Sequence, residues 1–289
     1  MQVEGADGGG QMRALAPRVV DAVWGAVAPL LPAPPVDEHP LGCHRPRIGD
    51  RDCFEAILLR LVTGCSWAVA GRLGVASATT LRRRRDAWIA AGVFDALVAE
   101  ALAGYDRIRG LDLSEVCIDG SLHKAPCGGA GTGPNPTDRA KSGWKWSLAT
   151  DRDGIPIGWA TDGANRHDIT LLAPTLDAIA ARGLHHDIDT VHLDRGYDAG
   201  TVRALLVDRG ITDAVIAVKR RRGQPATGTR PLRLGLRWAV ERTNSWLSNY
   251  GQLRRNTDRC TAHRHAQLCL AATLIITIKL CDWHDRWNP

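Results

Sequence analysis

The order of strand and helix signals after residue 113 constrains the fold more than any other feature of this chain. Three strand-like stretches come first; a helix, a strand, a helix, a strand and a helix follow. Adjacent antiparallel strands need only a turn, whereas parallel strands need a helical crossover, so this order predicts an α/β fold with a mixed five-stranded sheet. The predicted elements are strand 114–121, hairpin 143–163 around the turn 151–154, helix 167–183, strand 189–194, helix 200–210, strand 212–219, and helices 236–253 and 263–280.

The N-terminal part has helical spacing instead. In AGRLGVASATTLRRRRDAWIAAG (70–92), a short helix reaches Leu73, Gly74 supplies a turn, and Ser77 can cap a second helix through Trp88. This is a helix-turn-helix outline whose second helix would offer its arginines to DNA. A small helical bundle with exposed arginines explains the pattern equally well. The chain is therefore divided into a tail (1–16), a helical domain that is a candidate for DNA binding (17–112) and an α/β domain (113–289).

Positive charge is concentrated in one segment. The net charge is only +6 over 289 residues, yet residues 219–264 hold twelve Lys or Arg against two acids. An excess of this size on a short stretch is typical of proteins that bind a polyanion, usually nucleic acid. The alternative is a solvated surface that aids solubility, but such a surface normally mixes the two signs of charge.

The apolar run Leu268–Ile278 is too short to cross a bilayer and predicts a buried helix, hence a cytoplasmic protein without a membrane partner. The eight cysteines form no C-x-x-C pair, which indicates reduced thiols. Zinc ligands are suggested by Cys260, His263, His265 and Cys269. On one helix, however, the two histidines lie about 200° apart and could not face the same ion. The sequence therefore predicts against a zinc site formed by these four residues.

Three acids occupy positions where a site would form. Asp119 is predicted at the end of the first strand and Asp194 at the end of the fourth, while Glu241 lies on the following helix beside Arg237. Each has an ordinary explanation, because Asp before Gly is common in turns and a helical Glu is usually solvated. Neighbouring strands of an α/β sheet that end on the same side nevertheless form sites. The positions therefore favour one shared carboxylate site.

At these residues the chain resembles bacterial insertion-sequence transposases of the acidic-triad (DDE) class, of the insertion-sequence-five type. The resemblance covers about residues 20–280. It is carried by IDGS (118–121), HLDRGYD (192–198), RWAVERTNSWL (237–247), GWKWSLATDRDGIPIGWATDGANRHD (143–168) and RPRIGDRDCFEAILLRLVTGCSW (45–67). The family's helix signature has Tyr, Arg, Glu and Lys. Arg237 and Glu241 match it, but Leu234 and Ser248 stand at the other two positions.

The resemblance implies a ribonuclease-H-like catalytic domain in which Asp119, Asp194 and Glu241 are catalytic and bind two Mg²⁺ ions, or Mn²⁺ in their place. It implies a transposase that binds the terminal inverted repeats of its element, nicks the ends by hydrolysis and joins the 3′-hydroxyl ends to target DNA. The partners would be double-stranded DNA and a second copy in a homodimeric DNA complex. No small-molecule substrate is expected, and the location would be the nucleoid of a bacterial cytoplasm.

Two alternatives stay open: a metal-dependent nuclease of the same fold that does not join ends, and a catalytically dead DNA-binding protein. In each case DNA contacts are expected on the second helix of the helix-turn-helix outline, on the hairpin approach, in the basic loop and around the helix of Glu241. The predicted DNA-binding residues are Arg82, Arg83, Arg85, Arg139, Lys141, Lys145, Lys219, Arg220, Arg221, Arg222, Arg237, Trp238, Arg254 and Arg255.

Overall fold

The computed structural model describes residues 13–34, 46–74, 76–217 and 237–287. Their contacts group into two compact units. A helical unit contains the described residues up to Gly104 together with Ser248–Asn256 and those from Ala262 onward. A sheet unit contains Tyr105–Leu247, as far as it is described, and Thr257–Thr261.

The helical unit is built around the helix-turn-helix outline that the sequence predicts. Ser66 and Ser77 each cap a helix, because their hydroxyls accept hydrogen bonds from the backbone N–H groups of Val69 and Thr80. The outline is therefore confirmed as a structural element. The helices that contribute to this unit are α1 (Pro17–Val27), α2 (Asp50–Thr63), α3 (Trp67–Leu73), α4 (Ala78–Ala90), α5 (Val93–Arg109), α9 (Gly251–Arg254) and α10 (Thr261–Trp287).

The sheet unit contains a mixed sheet in the order β4-β3-β1-β5-β6, with a two-residue strand, β2, beside β3. β3 pairs antiparallel with both β1 and β4, whereas β1, β5 and β6 run parallel to one another. This confirms the predicted α/β class and is consistent with a ribonuclease-H-like fold. The elements are β1 (Glu115–Lys124), β2 (Gly133–Pro134), β3 (Ser142–Thr150), β4 (Pro156–Gly163), α6 (Asp168–Ala180), β5 (Thr190–Leu193), α7 (Gly200–Asp208), β6 (Asp213–Ile216) and α8 (Trp238–Asn249).

Two predicted boundaries are wrong. The first strand does not end at Asp119 but continues to Lys124, because β3 pairs with it along that whole length. The predicted helix 236–253 is two helices, α8 and α9, separated at Tyr250, whose extended backbone caps the second. Asp119 therefore lies inside a strand, and the turn explanation for it no longer applies.

The division into domains at residue 112 stays a prediction. In the structure, the C-terminal helix α10, which we placed with the catalytic domain, groups with the N-terminal helices. By length and composition α10 is the single helix among the described residues that could span a membrane, but most of its apolar stretch is buried inside the protein. Every position from Arg264 to Ile276 is buried except His265, which is partly exposed, as expected for a core helix.

Candidate active site

Strand register brings Asp119 and Asp194 next to each other. Cys117 of β1 pairs with His192 of β5 in the parallel ladder. Asp119 lies two residues after Cys117 in β1, and Asp194 lies two residues after His192, directly after β5. Because side chains alternate between the faces of a sheet, both aspartates lie on the face of Cys117 and His192. The predicted convergence of these two acids thus follows directly from the pairing of β1 with β5.

Asp194 also has an ordinary structural role. It precedes a 3-10 turn (Arg195–Tyr197) and its Oδ1 accepts a hydrogen bond of 2.7 Å from the backbone N–H of Gly196. The turn uses Oδ1 of the carboxylate, and a metal ion can be bound through the other oxygen, Oδ2. Fixing the carboxylate by its own turn orients it, as hydrogen bonds do for metal ligands in general. The turn explanation and the site explanation for Asp194 are therefore compatible.

Three hydrogen bonds hold the helix of Glu241 against the sheet and its β3–β4 turn. The indole Nε1 of Trp146, on β3, donates a 2.8 Å hydrogen bond to Oδ1 of Asn244. At the β3–β4 turn, Thr243 Oγ1 donates to the carbonyl of Gly154 at 2.6 Å, and Arg242 Nη2 donates to the carbonyl of Asp153 at 2.5 Å. These contacts involve three consecutive residues of α8, so they fix its rotation and leave Glu241 on the exposed side.

The charges of the four site residues act on one another. Burial raises the pKa of Asp119 to about 6; the positive charge of Arg237 lowers this pKa, and the negative charges of Asp194 and Glu241 raise it. Arg237 also lies 3.2 Å from Glu241, Nη2 to Oε1. Asp119, Asp194, Glu241 and Arg237 are thus close enough to form one electrostatic group, in which the Arg237 guanidinium acts on Asp119 and pairs with Glu241.

This donor set fits a hard divalent cation. It consists of carboxylate oxygens, which Mg²⁺ prefers, and it contains no sulfur or imidazole ligand that would favour a softer metal. The half-buried Asp119 gains most from an added positive charge, because burial and two neighbouring acids disfavour its ionised form. The residues present therefore match the metal chemistry that the resemblance implies.

Comparison with known proteins agrees with this geometry. Residues 110–277 match the family model described as a transposase DDE domain, and residues 19–98 match one described as a putative transposase of the IS4/5 family. The chain belongs to the IS4/5 family of DDE transposases. It is 42% identical over 149 residues to the "putative transposase for insertion sequence element IS402" of Burkholderia cepacia, which is 50% of this chain and 67% of that protein. It is 32% identical over 121 residues to the same organism's "insertion element IS402 uncharacterized 16.2 kDa protein", 42% of this chain and 82% of that one.

Lys145 of this transposase does not have the exposed position that we expected for a DNA contact. Its side chain is buried, and its ammonium donates hydrogen bonds to Asp168 Oδ1 at 2.5 Å and to the carbonyl of Arg166 at 2.9 Å. The register pairs Lys145 with Leu122, which places it on the face of the sheet opposite Asp119. A buried ammonium needs such partners, because an uncompensated charge in the interior is costly.

Asp168, the partner of Lys145, was not singled out from the sequence. As the first residue of α6, it places its carboxylate against Gly120, where a Cβ atom would collide with it. Burial of Tyr197 raises the pKa of its phenol, and the negative charge of Asp168 raises that pKa further. The Lys145–Asp168 pair therefore packs against Gly120 on the face of the sheet opposite the Asp119 side chain. β3 is buried along all but its first residue, and a strand covered on both faces cannot leave its lysine in solvent, so Lys145 needs a partner such as Asp168.

The arginines of α4 divide into two classes. Arg85, a predicted DNA contact, is buried; it lies 4.9 Å above the ring of Trp67 and pairs with Asp86 at 2.9 Å. Arg84 is also buried and pairs with Asp50. Arg82 and Arg83 are exposed. The helix periodicity explains the difference, because four consecutive residues cover most of its circumference and two must face the core.

The other predicted DNA-binding residues are largely accessible. Arg237 is half-buried beside Glu241, and Trp238 is 45% exposed with the Arg242 guanidinium 4.3 Å from its ring. The remaining exposed members of the set are Arg139, Lys141, Arg254 and Arg255. The basic-loop residues Lys219, Arg220, Arg221 and Arg222 lie outside the described residues.

Proposed function

We propose that this transposase binds the terminal inverted repeats of its insertion sequence, nicks each end by metal-dependent hydrolysis and joins the freed 3′-hydroxyl to target DNA. The observation that supports it best is the register of β1 and β5, in which Asp119 and Asp194 each follow a residue of the pair Cys117–His192 by two positions, together with the Arg237–Glu241 ion pair, whose two charges both act on Asp119. Three carboxyl groups from a strand, a strand end and a helix share one location only if the fold is arranged to bring them together.

Asp119, Asp194 and Glu241 are the residues that would hold the divalent ions. Two Mg²⁺ ions bound to such a set supply charge for the attacking and the departing oxygen of a phosphodiester, with Mn²⁺ as a substitute. Asp194 is oriented by the N–H of Gly196, and Glu241 by the anchored helix α8. Arg237 contributes a positive charge that favours the ionised form of Asp119.

The two proposed reactions differ only in the nucleophile. In the first, a water oxygen attacks phosphorus, the P–O3′ bond breaks, and a 3′-hydroxyl and a 5′-phosphate result. In the second, that 3′-hydroxyl attacks a phosphodiester of the target, forming one bond while the target's own P–O3′ bond breaks. Neither reaction requires a covalent bond between protein and DNA, so no serine or tyrosine nucleophile is assigned.

Exposed basic residues in both units would bind the DNA backbone. Arg82 and Arg83 on α4, and Arg139 and Lys141 on the loop before β3, present positive charge to solvent. Contacts to phosphates contribute affinity but carry little sequence information. Recognition of the terminal repeats is accordingly assigned to base contacts from the helix-turn-helix outline, in a homodimeric complex in the bacterial cytoplasm.

The test is cleavage of a labelled terminal-repeat duplex by single variants. Asp119→Asn, Asp194→Asn and Glu241→Gln should each lose Mg²⁺-dependent cleavage while DNA binding is retained. Asp208→Asn and Glu100→Gln remove exposed acids elsewhere and should cleave normally. Near-normal cleavage by any of the first three would contradict the assignment.

Joining is tested separately from cleavage. A pre-nicked end with a labelled 3′-hydroxyl is supplied with target DNA, and a joined product is expected with the wild-type protein. Cleavage without any joined product would identify a nuclease of the same fold. Binding without either reaction, at several divalent-ion concentrations, would identify a catalytically inactive DNA-binding protein.

A further inference from the structure

A second group of metal-ligand side chains lies in the helical unit, whereas the three acids belong to the sheet unit. Asp95 near the start of α5 meets His265 and Cys269 of α10, with their ligand atoms within 4.8 Å of one another. Oδ1 of Asp95 is 2.7 Å from Nε2 of His265, and Sγ of Cys269 is 3.4 Å from the same nitrogen. The Cys269 sulfur is 3.9 Å from Asp95 Oδ1.

We infer that Asp95, His265 and Cys269 form a zinc site that links α5 to α10. His265 and Cys269 are four residues apart on one helix and therefore project from the same face. His263, in contrast, pairs with Asp86 at 3.0 Å, as expected for a residue on another side of α10. Two members of the four-residue set considered from the sequence thus meet a third ligand from another helix.

The separations fit a tetrahedral ion with small adjustments. Zinc bonds of about 2.0–2.3 Å to nitrogen, oxygen and sulfur place neighbouring tetrahedral ligands about 3.3–3.6 Å apart. Of the two distances that involve sulfur, 3.4 Å lies inside this range and 3.9 Å lies slightly above it. The 2.7 Å contact is a hydrogen bond and would lengthen by about 0.6 Å or more on metal binding. Asp95, whose side chain is 62% exposed, can move that far.

The chemistry of the group favours zinc over magnesium. His265 Nε2 contacts Asp95 Oδ1 and Cys269 Sγ, and these two atoms also contact each other, so the three ligand atoms surround one point. A cation at that point can bind all three groups at once. Binding releases the Cys269 thiol proton and uses neutral imidazole, and a thiolate–imidazole–carboxylate set suits Zn²⁺. The exposed side of Asp95 leaves room for water as a fourth ligand.

Cobalt spectroscopy tests the site in the full-length protein. Co²⁺ is titrated into metal-free protein with excess Mg²⁺ present to occupy the three-acid site. We expect a thiolate-to-cobalt charge-transfer band in the near ultraviolet that saturates at one equivalent and is abolished by Zn²⁺. Cys269→Ser should lose the band. Cys281→Ser, which changes another cysteine of α10, should keep it.

Asp95→Ala is a second variant, because this exposed residue can be changed without disturbing the core. It should weaken cobalt binding at least tenfold, whereas Asp119→Asn should leave it unchanged. The proposal is overturned by absence of the band in the wild-type protein, by its persistence in Cys269→Ser, or by unaltered cobalt affinity in Asp95→Ala. None of these results bears on the three-acid site, so the two assignments can fail independently.

Discussion

Replacing Gly154 with alanine should move the helix that carries Glu241. Gly154 has φ +82°, and a Cβ atom there would lie 2.8 Å from Arg242 Nη2, 3.0 Å from Thr243 Oγ1 and 3.1 Å from the carbonyl oxygen of Ala239. The last of these atoms belongs to the backbone of α8 and cannot yield by a side-chain rotation. The methyl group therefore has to displace either the β3–β4 turn or the helix.

The size of the effect can be separated into two parts with a matched control. Gly183 has a similar φ of +75°, but nothing lies within 4 Å of its Cβ position. Gly183→Ala should cost only the left-handed backbone penalty, about 1–2 kcal/mol. Gly154→Ala should cost that amount plus about 1–3 kcal/mol for overpacking. The difference between the two variants thus measures how tightly the turn holds α8.

The assay combines urea unfolding with cleavage at saturating DNA, under conditions where both variants are folded. A displacement approaching 1 Å in a catalytic group reduces rates by on the order of 100-fold, so Gly154→Ala should cleave far more slowly than Gly183→Ala. Equal unfolding free energies for the two variants would show that the close contacts exert no force. Equal cleavage rates alongside unequal stabilities would show that this turn does not position Glu241.

Three further predictions concern groups around the site. Asp151 is fully buried, and burial raises its pKa to about 7. The folded protein therefore retains a proton that the unfolded chain loses near pH 4, and unfolding free energy should fall by up to about 4 kcal/mol between pH 4 and pH 7. Asp151→Asn, followed by urea unfolding at several pH values, should remove this loss; an unchanged pH profile would refute the attribution. Lys145→Met should lower stability by about 1–3 kcal/mol without changing the salt dependence of DNA binding, since the lysine is buried against Asp168; a shallower salt slope would restore it as a DNA contact. Arg139→Gln combined with Lys141→Gln should reduce the magnitude of that slope by up to about 1.8, unlike the control Arg203→Gln, whose arginine pairs with Asp198.

Much of the sheet unit could be predicted because its signals are local. Strands and helices were placed from apolar periodicity and turns, and their order determined the α/β class. The end of the first strand could not be placed this way. IDGS has the composition of a turn, but pairing with β3 continues the strand to Lys124. A long-range pairing overrode a local preference, which no single-stretch argument can anticipate.

The charged residues show the same limit more clearly. Lys145 and Arg85 were assigned to DNA because they are basic and near other basic residues, yet both are buried with specific partners. Asn244 falls on the polar face of α8 by periodicity, but it is buried because Trp146 donates to it. Whether a polar side chain faces solvent depends on a partner that is distant in sequence, and the sequence does not mark such partners.

The two aspartates of the site could be identified from the sequence, whereas their contacts could not, and they differ in how the fold stabilises their charge. Asp194 follows its strand and begins a turn that its own carboxylate stabilises, and this local role is indicated by the residues immediately around it in the sequence. For its neighbour Asp119, burial and the charges of Asp194 and Glu241 raise the pKa, and the opposing effects of Arg237 and the Gly120 N–H do not cancel that rise. A half-buried carboxyl group among like charges is unfavourable for folding alone. It becomes favourable when a divalent cation is bound, and this is the physical reason to place the metal site at Asp119.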